Sequence, residues 1–271
     1  MPNLTKAPAN QLTAAAAELA RARKVLVITG AGVSAASGLP VYRGLGGLYE
    51  GNATEDGVSI ETALSGAMLR KNPELTWKYL LHIARALEGR APNAGHAALA
   101  AMERSGRFAS FCVLTQNVDG LHARAGSQNL IEIHGDLRQL QCRVCGYSEA
   151  MPVASSLHSA PACPCCGHNL RPSIVLFGEA LPSGALQRYQ ALLDDGIDFV
   201  MSIGTSAGFP YIAEPFARAA RAGLPTLEIN PERTEISHLA RYRLTSCAAI
   251  ALPALWAALD AERCSAPLPG F

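Results

Sequence analysis

Lys24-Val25-Leu26-Val27-Ile28-Thr29-Gly30-Ala31-Gly32-Val33-Ser34-Ala35 is the stretch from which the rest of the chain can be ordered. A short, mostly apolar run with no polar alternation leads into a Gly-x-Gly-x-x-Ala turn. A continuous run of this kind suits a strand buried on both faces. The turn fits the dinucleotide-binding fingerprint, in which glycines admit backbone to a pyrophosphate and the N-terminus of a following helix favours its charge. Taken alone, the same glycines are equally consistent with a tight turn that holds no ligand.

Further short apolar runs lie outward from this stretch: Phe108–Thr115, Asn129–Ile133, Ser173–Phe177, Phe199–Ile203 and Pro225–Ile229. Helical patterns cover Gln11–Arg23, Pro73–Leu87 with Trp77, Leu80, Leu81 and Ala84 on one side, Ala94–Arg104, Ser183–Asp194 and Ile212–Ala222. Strands alternating with helices predict a parallel α/β sheet. The second strand of an ordinary dehydrogenase, with its acidic residue ~20 positions after the turn, is not recognisable. Glu50 falls near that place but sits among glycines, and the next clear strand is Phe108–Thr115. A long insertion therefore follows the glycine turn, which makes hydride transfer an atypical fit.

The 271 residues are 49% hydrophobic and 17% charged, enough for a buried core and unlike a disordered chain. The formal charge of +1 argues against a protein held mainly by nucleic acid or anionic membrane. No apolar run approaches a membrane span, and Met1–Asn10 lacks the apolar stretch of a signal peptide, so a cytoplasmic location is expected.

Five of the eight cysteines fall between Cys142 and Cys166. Cys142-x-x-Cys145 and Cys163-x-x-Cys166 have the spacing of a four-cysteine zinc site. Four thiolates close the coordination sphere of one Zn²⁺, so the metal is expected to be structural. Cys163-Pro164-Cys165-Cys166 offers three thiols for two places, which leaves Cys165 as either a ligand or a spare. Cys112, Cys247 and Cys264 read as core or surface residues. Zinc ribbons also serve nucleic-acid binders, so a binding module stands as an alternative at this point.

Gln116, Asn117 and Asp119 follow one predicted strand and His134 another, with Gly204-Thr205-Ser206 after a third and Asn230 after a fourth. Ligands of open α/β sheets bind beyond the carboxyl ends of the strands, which is where all of these fall. His122 reads as structural.

Together these segments resemble the sirtuins, NAD-dependent protein deacylases. Gly30-Ala31-Gly32-Val33-Ser34-Ala35-Ala36-Ser37-Gly38-Leu39-Pro40-Val41-Tyr42-Arg43 is similar to their signature loop, and Thr115–His122 to their second motif. His134-Gly135 matches the catalytic histidine motif, and the paired knuckles match the zinc site. Arg171-Pro172 with Val175–Glu179 resembles the segment that pairs with substrate peptide. The matches run in order over roughly residues 25–253.

The resemblance implies a Rossmann-like domain from 1–44, 96–136 and 171–271, a helical insertion at 45–95 and a zinc-binding subdomain at 137–170. It implies NAD as co-substrate and acyl-lysine proteins or peptides as partners, with no direct contact to nucleic acid or membrane. In the family the acyl oxygen attacks the ribose C1′ and nicotinamide leaves. A histidine, here His134, then activates a ribose hydroxyl, and water releases lysine and O-acyl-ADP-ribose. Carried over residue by residue, Asn117 and Asp119 orient the nicotinamide end, Gln116 contacts ribose, and Tyr42 and Arg43 lie over the cofactor. Gly30, Ala31, Gly32 and Ser34 hold phosphates, Gly204, Thr205, Ser206 and Asn230 contact ribose and adenine, and Ala248 lies near the adenine. Val175, Phe177, Gly178 and Glu179 face the peptide. A mono-ADP-ribosyltransferase or NAD glycohydrolase on the same fold is the alternative function.

The sequence departs from the common form of the loop, having Pro40-Val41-Tyr42-Arg43 where Pro-Asp-Phe-Arg is usual. This change and Asn93-Ala94-Gly95-His96 resemble the bacterial and mitochondrial branch that includes desuccinylases. That branch holds an acidic acyl group with a Tyr-x-x-Arg pair, and Leu80 and Ile83 take those positions here. With Leu45 they suggest an apolar acyl pocket, deacetylation as the main activity and weak desuccinylation, although ordinary core packing accounts for all three equally well.

Overall fold

The computed structural model describes residues 9–40 and 54–265. Its elements in chain order begin with α1 (Ala9–Arg21), β1 (Lys24–Thr29), α2 (Ile60–Ala63), α3 (Gly66–Lys71), α4 (Pro73–Leu87) and α5 (Ala94–Arg104). Then come β2 (Ser110–Thr115), α6 (Leu121–Ala125), β3 (Leu130–Glu132), β4 (Gly135–Gln141), β5 (Ser148–Ala150) and β6 (Arg171–Ile174). The chain continues through α7 (Ser183–Asp195), β7 (Phe199–Ile203), α8 (Pro210–Arg221), β8 (Thr226–Ile229), β9 (Tyr242–Leu244) and α9 (Ala248–Ser265).

Six strands form one parallel sheet in the order β3-β2-β1-β7-β8-β9. Side chains of a strand alternate between faces, and the core divides accordingly. Val25, Val27, Phe111, Val113, Phe199 and Met201 pack on α1, α5 and α9. Leu26, Ile28, Cys112, Leu114 and Val200 pack on α7 and α8. Covering both faces is what makes β1 and β7 read as unbroken apolar runs. The strand order reverses at β1, so the carboxyl ends of β1, β2 and β7 open the crevice where such sheets bind ligands.

Two expectations change here. The run Ser173–Phe177 is no strand of the parallel sheet. Residues 171–174 form β6 of a second, antiparallel sheet with order β5-β4-β6. That sheet starts at Gly135, directly after His134, and is wider than the expected 137–170 segment. Among the described residues no α-helix directly follows the glycine turn either. Two 3₁₀ turns, Ala31–Val33 and Ala35–Ser37, occupy that place, so no helix macrodipole is aimed at the cleft from this loop.

The apolar side of α4 is buried through Trp77, Leu80, Leu81 and Ala84 against Leu137 and Leu140 of the small sheet and Leu170 just before β6, with Cys142 and Cys163 in the same core. The helix starts cleanly because Asn72 accepts from Leu75 N (3.2 Å) and Pro73 stands in the first turn, where its missing N–H costs nothing. Among the described residues no helix is long and apolar enough to cross a membrane.

A strand-end cleft and a four-cysteine cluster

Five strand ends converge on one cleft of ≈ 570 Å³, within the range of small-molecule and cofactor sites. Gly30, Ala31 and Gly32 come from the end of β1, Gln116 and Asn117 from β2, and His134 from the residues after β3. Gly204, Thr205 and Ser206 come from β7 and Asn230 from β8. Val175, Phe177, Gly178 and Glu179 line the wall on the side of the small sheet, where Leu80 and Ile83 of α4 also reach it.

The glycines meet protein before they meet any ligand. A Cβ on Gly32 would stand 2.7 Å from Gly204 Cα, and one on Gly30 would stand 2.7 Å from Thr205 Cβ. Gly32 N donates to Gly204 O at 2.8 Å. The loops after β1 and β7 thus lie backbone against backbone, and only residues without side chains allow it.

Polar side chains tie the floor together. The amide Nδ2 of Asn117 donates to Gly30 O (3.1 Å) and Ser34 Oγ (3.2 Å), and Ser34 Oγ donates to Asp119 Oδ2 (2.7 Å). Gln116 Nε2 donates to Thr205 Oγ1 at 2.8 Å, and Asn230 Nδ2 to Thr205 O at 3.1 Å. Ser34 and Asp119 lie behind the main cleft, in a smaller pocket that shares Ala31, Ile83, Asn117 and Val118 with it.

His134 is oriented from both ring nitrogens. Its Nδ1 lies 3.0 Å from Gln116 O. A carbonyl only accepts, so Nδ1 carries the proton and Nε2 is left as an acceptor. Tyr211 Oη stands 2.7 Å from Nε2 and donates to it. Burial holds the imidazole below its ordinary pKa, partly offset by the backbone bond to Gln116, so the ring is a neutral base at pH 7.

Cys142, Cys145, Cys163 and Cys166 bring their Sγ atoms within 4.8 Å of one another, with Cys142–Cys166 at 3.4 Å and Cys145–Cys163 at 3.5 Å. A tetrahedron with Zn–S of ~2.3 Å has edges of ~3.8 Å, so the cluster fits one zinc ion. Backbone N–H groups of Val144 and Cys145 point at the Cys142 sulfur, and those of Cys165 and Cys166 at the Cys163 sulfur. Such donors favour thiolates. Cys165 is exposed and outside the cluster, so it is the spare thiol.

The Sir2 family profile matches residues 30–209. The chain is 48% identical over 239 residues to "NAD-dependent protein deacylase 2" of Pseudomonas aeruginosa, covering 87% of this chain and 92% of that one. It belongs to the Sir2 family. A Thermus thermophilus "NAD-dependent protein deacylase" is 38% identical over 236 residues, covering 86% and 89% of the two chains. The crystal structure of a Sir2 homologue–NAD complex superposes with a TM-score of 0.81 at 34% identity, covering 91% of this chain and 93% of that one.

The other residues expected from the Sir2 motifs stand as follows. Tyr42, Arg43 and Leu45 lie outside the described residues, as does the side chain of Cys264. Ala248 is buried in the core, and its neighbour Cys247 lines the cleft instead. Glu179 has both carboxylate oxygens engaged: Arg171 holds them at 2.6 and 2.9 Å, and Leu176 N donates at 3.0 Å. It shapes the loop that faces the cleft. Phe177 pairs its backbone with Leu64 O and Gly66 N at 3.0 Å each. Tyr211 and Phe209 are cleft residues that the motif reading passed over. Their signal was present in Phe209-Pro210-Tyr211, immediately beyond the Gly204-Thr205-Ser206 strand end.

Behind the floor of this Sir2 cleft lie two imidazoles with ring centroids 4.8 Å apart, His96 and His122. His96 Nδ1 accepts from Asn93 N at 3.3 Å, forming a capping box at the start of α5. His122 Nε2 lies 3.0 Å from Thr29 Oγ1, and its Nδ1 is buried without a partner. Burial holds His96 down at about 4 and His122 at about 3. Groups depressed in the fold contribute stability that is complete above their unfolded pKa of ~6.5 and lost as pH falls toward the folded values. Glu132, pushed up to about 7 by burial, works in the opposite sense, disfavouring the fold as pH rises above its ordinary 4.5. The histidine shifts together are larger. The unfolding free energy read from denaturant melts should therefore drop between pH 7 and pH 5, by on the order of 1–2 kcal/mol. A His122→Phe variant should show a shallower drop, and an equal slope in the two proteins would refute the assignment.

Proposed function

We infer that the chain is an NAD-dependent protein-lysine deacylase that consumes NAD and an acyl-lysine side chain and yields nicotinamide, free lysine and O-acyl-ADP-ribose. The observation that carries this is His134, a cleft-lining residue whose tautomer is set by Gln116 O so that Nε2 is its accepting nitrogen, in a chain of the Sir2 family. NAD supplies the electrophilic ribose carbon and the hydroxyls to which the acyl group moves. The chain's own residues bind, orient and take a proton. The strand-end loops at Gly30–Gly32, Gly204–Ser206 and Asn230 form the nucleotide's bed, and Tyr42 and Arg43, outside the described residues, are assigned to the cofactor by the motif alone. Asn117 and Asp119 orient the nicotinamide end, Ser34 holds phosphate, and Gln116 contacts ribose. His134 is the base that ends with a proton on Nε2 when the hydroxyl is activated, as befits a neutral imidazole working near pH 7.

Acyl-lysine enters between Val175–Gly178 and α4. The four-cysteine cluster holds zinc as a structural ion, since four thiolates leave no position for substrate. Rossmann-like and small domains divide near 135 and 174, and the small sheet shares its core with α4. Protein substrates follow from this activity, and the cytoplasm is the proposed location.

Leu80, 1% exposed, Ile83, Val118 and Phe177 make the acyl end of the cleft apolar. Arg233, the cation among the described lining residues, belongs to the loop beyond β8. A succinyl carboxylate beside Leu80 and Ile83 loses hydration without gaining a partner. Mass spectrometry of a peptide panel carrying acetyl-, butyryl-, longer acyl- and succinyl-lysine, with and without NAD, tests both points. NAD-dependent removal of apolar acyl groups is expected, with kcat/KM for succinyl-lysine at least ~10-fold lower. Desuccinylation faster than deacetylation would overturn the pocket assignment. NAD consumption with no deacylated peptide would point to the glycohydrolase or ADP-ribosyltransferase alternative.

A further inference from the structure

Tyr211 belongs to no motif by which the family was recognised, yet its hydroxyl holds the one ring nitrogen through which His134 can act. Nδ1 of His134 is committed to Gln116 O, and Nε2 accepts from Tyr211 Oη at 2.7 Å. An imidazole nitrogen has a single lone pair. A substrate hydroxyl in this cleft must therefore displace Tyr211 or work through it.

The surroundings of Tyr211 resist displacement. Its ring lies 16° from parallel with Phe209, centroids 5.5 Å apart. Phe209 in turn meets the His134 ring edge to face at 5.9 Å, so the three rings form one packed group. The backbone is held separately, because Tyr189 Oη donates to Tyr211 O at 2.7 Å and Tyr189 is itself buried in the core under α8. Pro210 precedes Tyr211 at the start of α8 and restrains the main chain there. Ala207, the described non-glycine residue with positive φ (56°), sets the loop that delivers this segment, and its N–H is tied to Thr205 Oγ1 at 3.1 Å. Tyr211 also lines the cleft, so its oxygen, which has lone pairs to spare while its proton is donated to His134, is open to a substrate hydroxyl.

We propose that Tyr211 is a catalytic proton relay between the substrate ribose hydroxyl and His134. As the substrate O–H bond breaks, its proton forms a new O–H bond to Tyr211 Oη. The original Tyr211 O–H bond breaks in the same step, and that proton forms the N–H bond at His134 Nε2. The electron pair left on the substrate oxygen becomes the nucleophile, Tyr211 ends as it began, and His134 carries the positive charge. No free phenolate forms, which suits a hydroxyl whose burial already disfavours ionisation. This inference rests on the deacylase reading above.

The test is Tyr211→Phe, which keeps the ring stack and removes only the hydroxyl. It is assayed beside the wild type and His134→Ala, with acetyl-lysine peptide, NAD and labelled nicotinamide. The relay requires kcat for deacylation to fall at least 10-fold while KM for NAD and the melting temperature stay unchanged. Nicotinamide exchange, which precedes the hydroxyl's activation, should be retained. Unchanged or higher kcat would mean that the hydroxyl merely caps the histidine and is displaced by substrate, and would overturn the relay. Equal losses of exchange and deacylation, or a rise in KM for NAD, would assign Tyr211 to binding and overturn it as well. A wild-type protein that removes no acyl group would sink the deacylase reading itself, and that result is read in the control rather than in the variant.

Discussion

His134→Ala should lower deacylation kcat by ~10²–10⁴-fold, the usual worth of a positioned general base, and leave the fold intact. The ring is anchored at Nδ1 by Gln116 O and at Nε2 by Tyr211, while its backbone is held independently, Val175 N donating to His134 O at 2.8 Å. Loss of the imidazole therefore removes the proton acceptor without releasing the strand end. The measurement is steady-state deacylation of an acetyl-lysine peptide, with nicotinamide exchange followed separately. The variant should retain exchange, because the group that takes the hydroxyl proton is not needed to expel nicotinamide. A variant within threefold of wild-type kcat would remove His134 from the chemistry.

Stripping the metal, or replacing Cys163 with Ser, should unfold the small sheet while leaving the parallel sheet folded. A structural zinc site is worth ~10–16 kcal/mol in isolated zinc-binding peptides, and the core around this one is small. Cys142 and Cys163 are themselves buried members of that core, beside Leu140 and Leu170. Without the ion, four sulfurs lying within 4.8 Å of one another have nothing to hold them together. The β1, β2 and β7 strands have their own two-sided core and need none of this. Hydrogen exchange should lose protection across residues 135–176 and retain it in β1, β2 and β7. Activity should vanish with the small sheet, because Gly135 pairs with Ile174 immediately beyond His134, so His134 and the loop that begins at Val175 are held by the same strands. Full activity and full protection after metal removal would show that the thiols are not a zinc site.

The parts of this protein that could be read from its residues are those whose cause is local. Lys24–Thr29 and Phe199–Ile203 are strands because a run of apolar residues can be buried on both faces. The cysteine knuckles are legible because two short turns carry their ligands at a fixed spacing. Placing polar residues at the strand ends followed from the sheet class alone, and Gln116, Asn117, His134, Thr205 and Asn230 do meet in one cleft.

What the sequence could not supply are relations between distant segments. Ser173–Phe177 looks like any buried strand, and only its pairing with β4 puts residues 171–174 in the antiparallel sheet. Gly30 and Gly32 carry a nucleotide fingerprint, but the atoms they approach most closely belong to Gly204 and Thr205. Tyr211 reaches His134 across 77 positions of chain, and no periodicity in either segment announces it. Apolar patterning and turn chemistry encode burial and local direction, and so determine the class of fold and the strand ends. Which side chains meet there is set by strand order and packing, which bring together groups whose sequences bear no mark of one another.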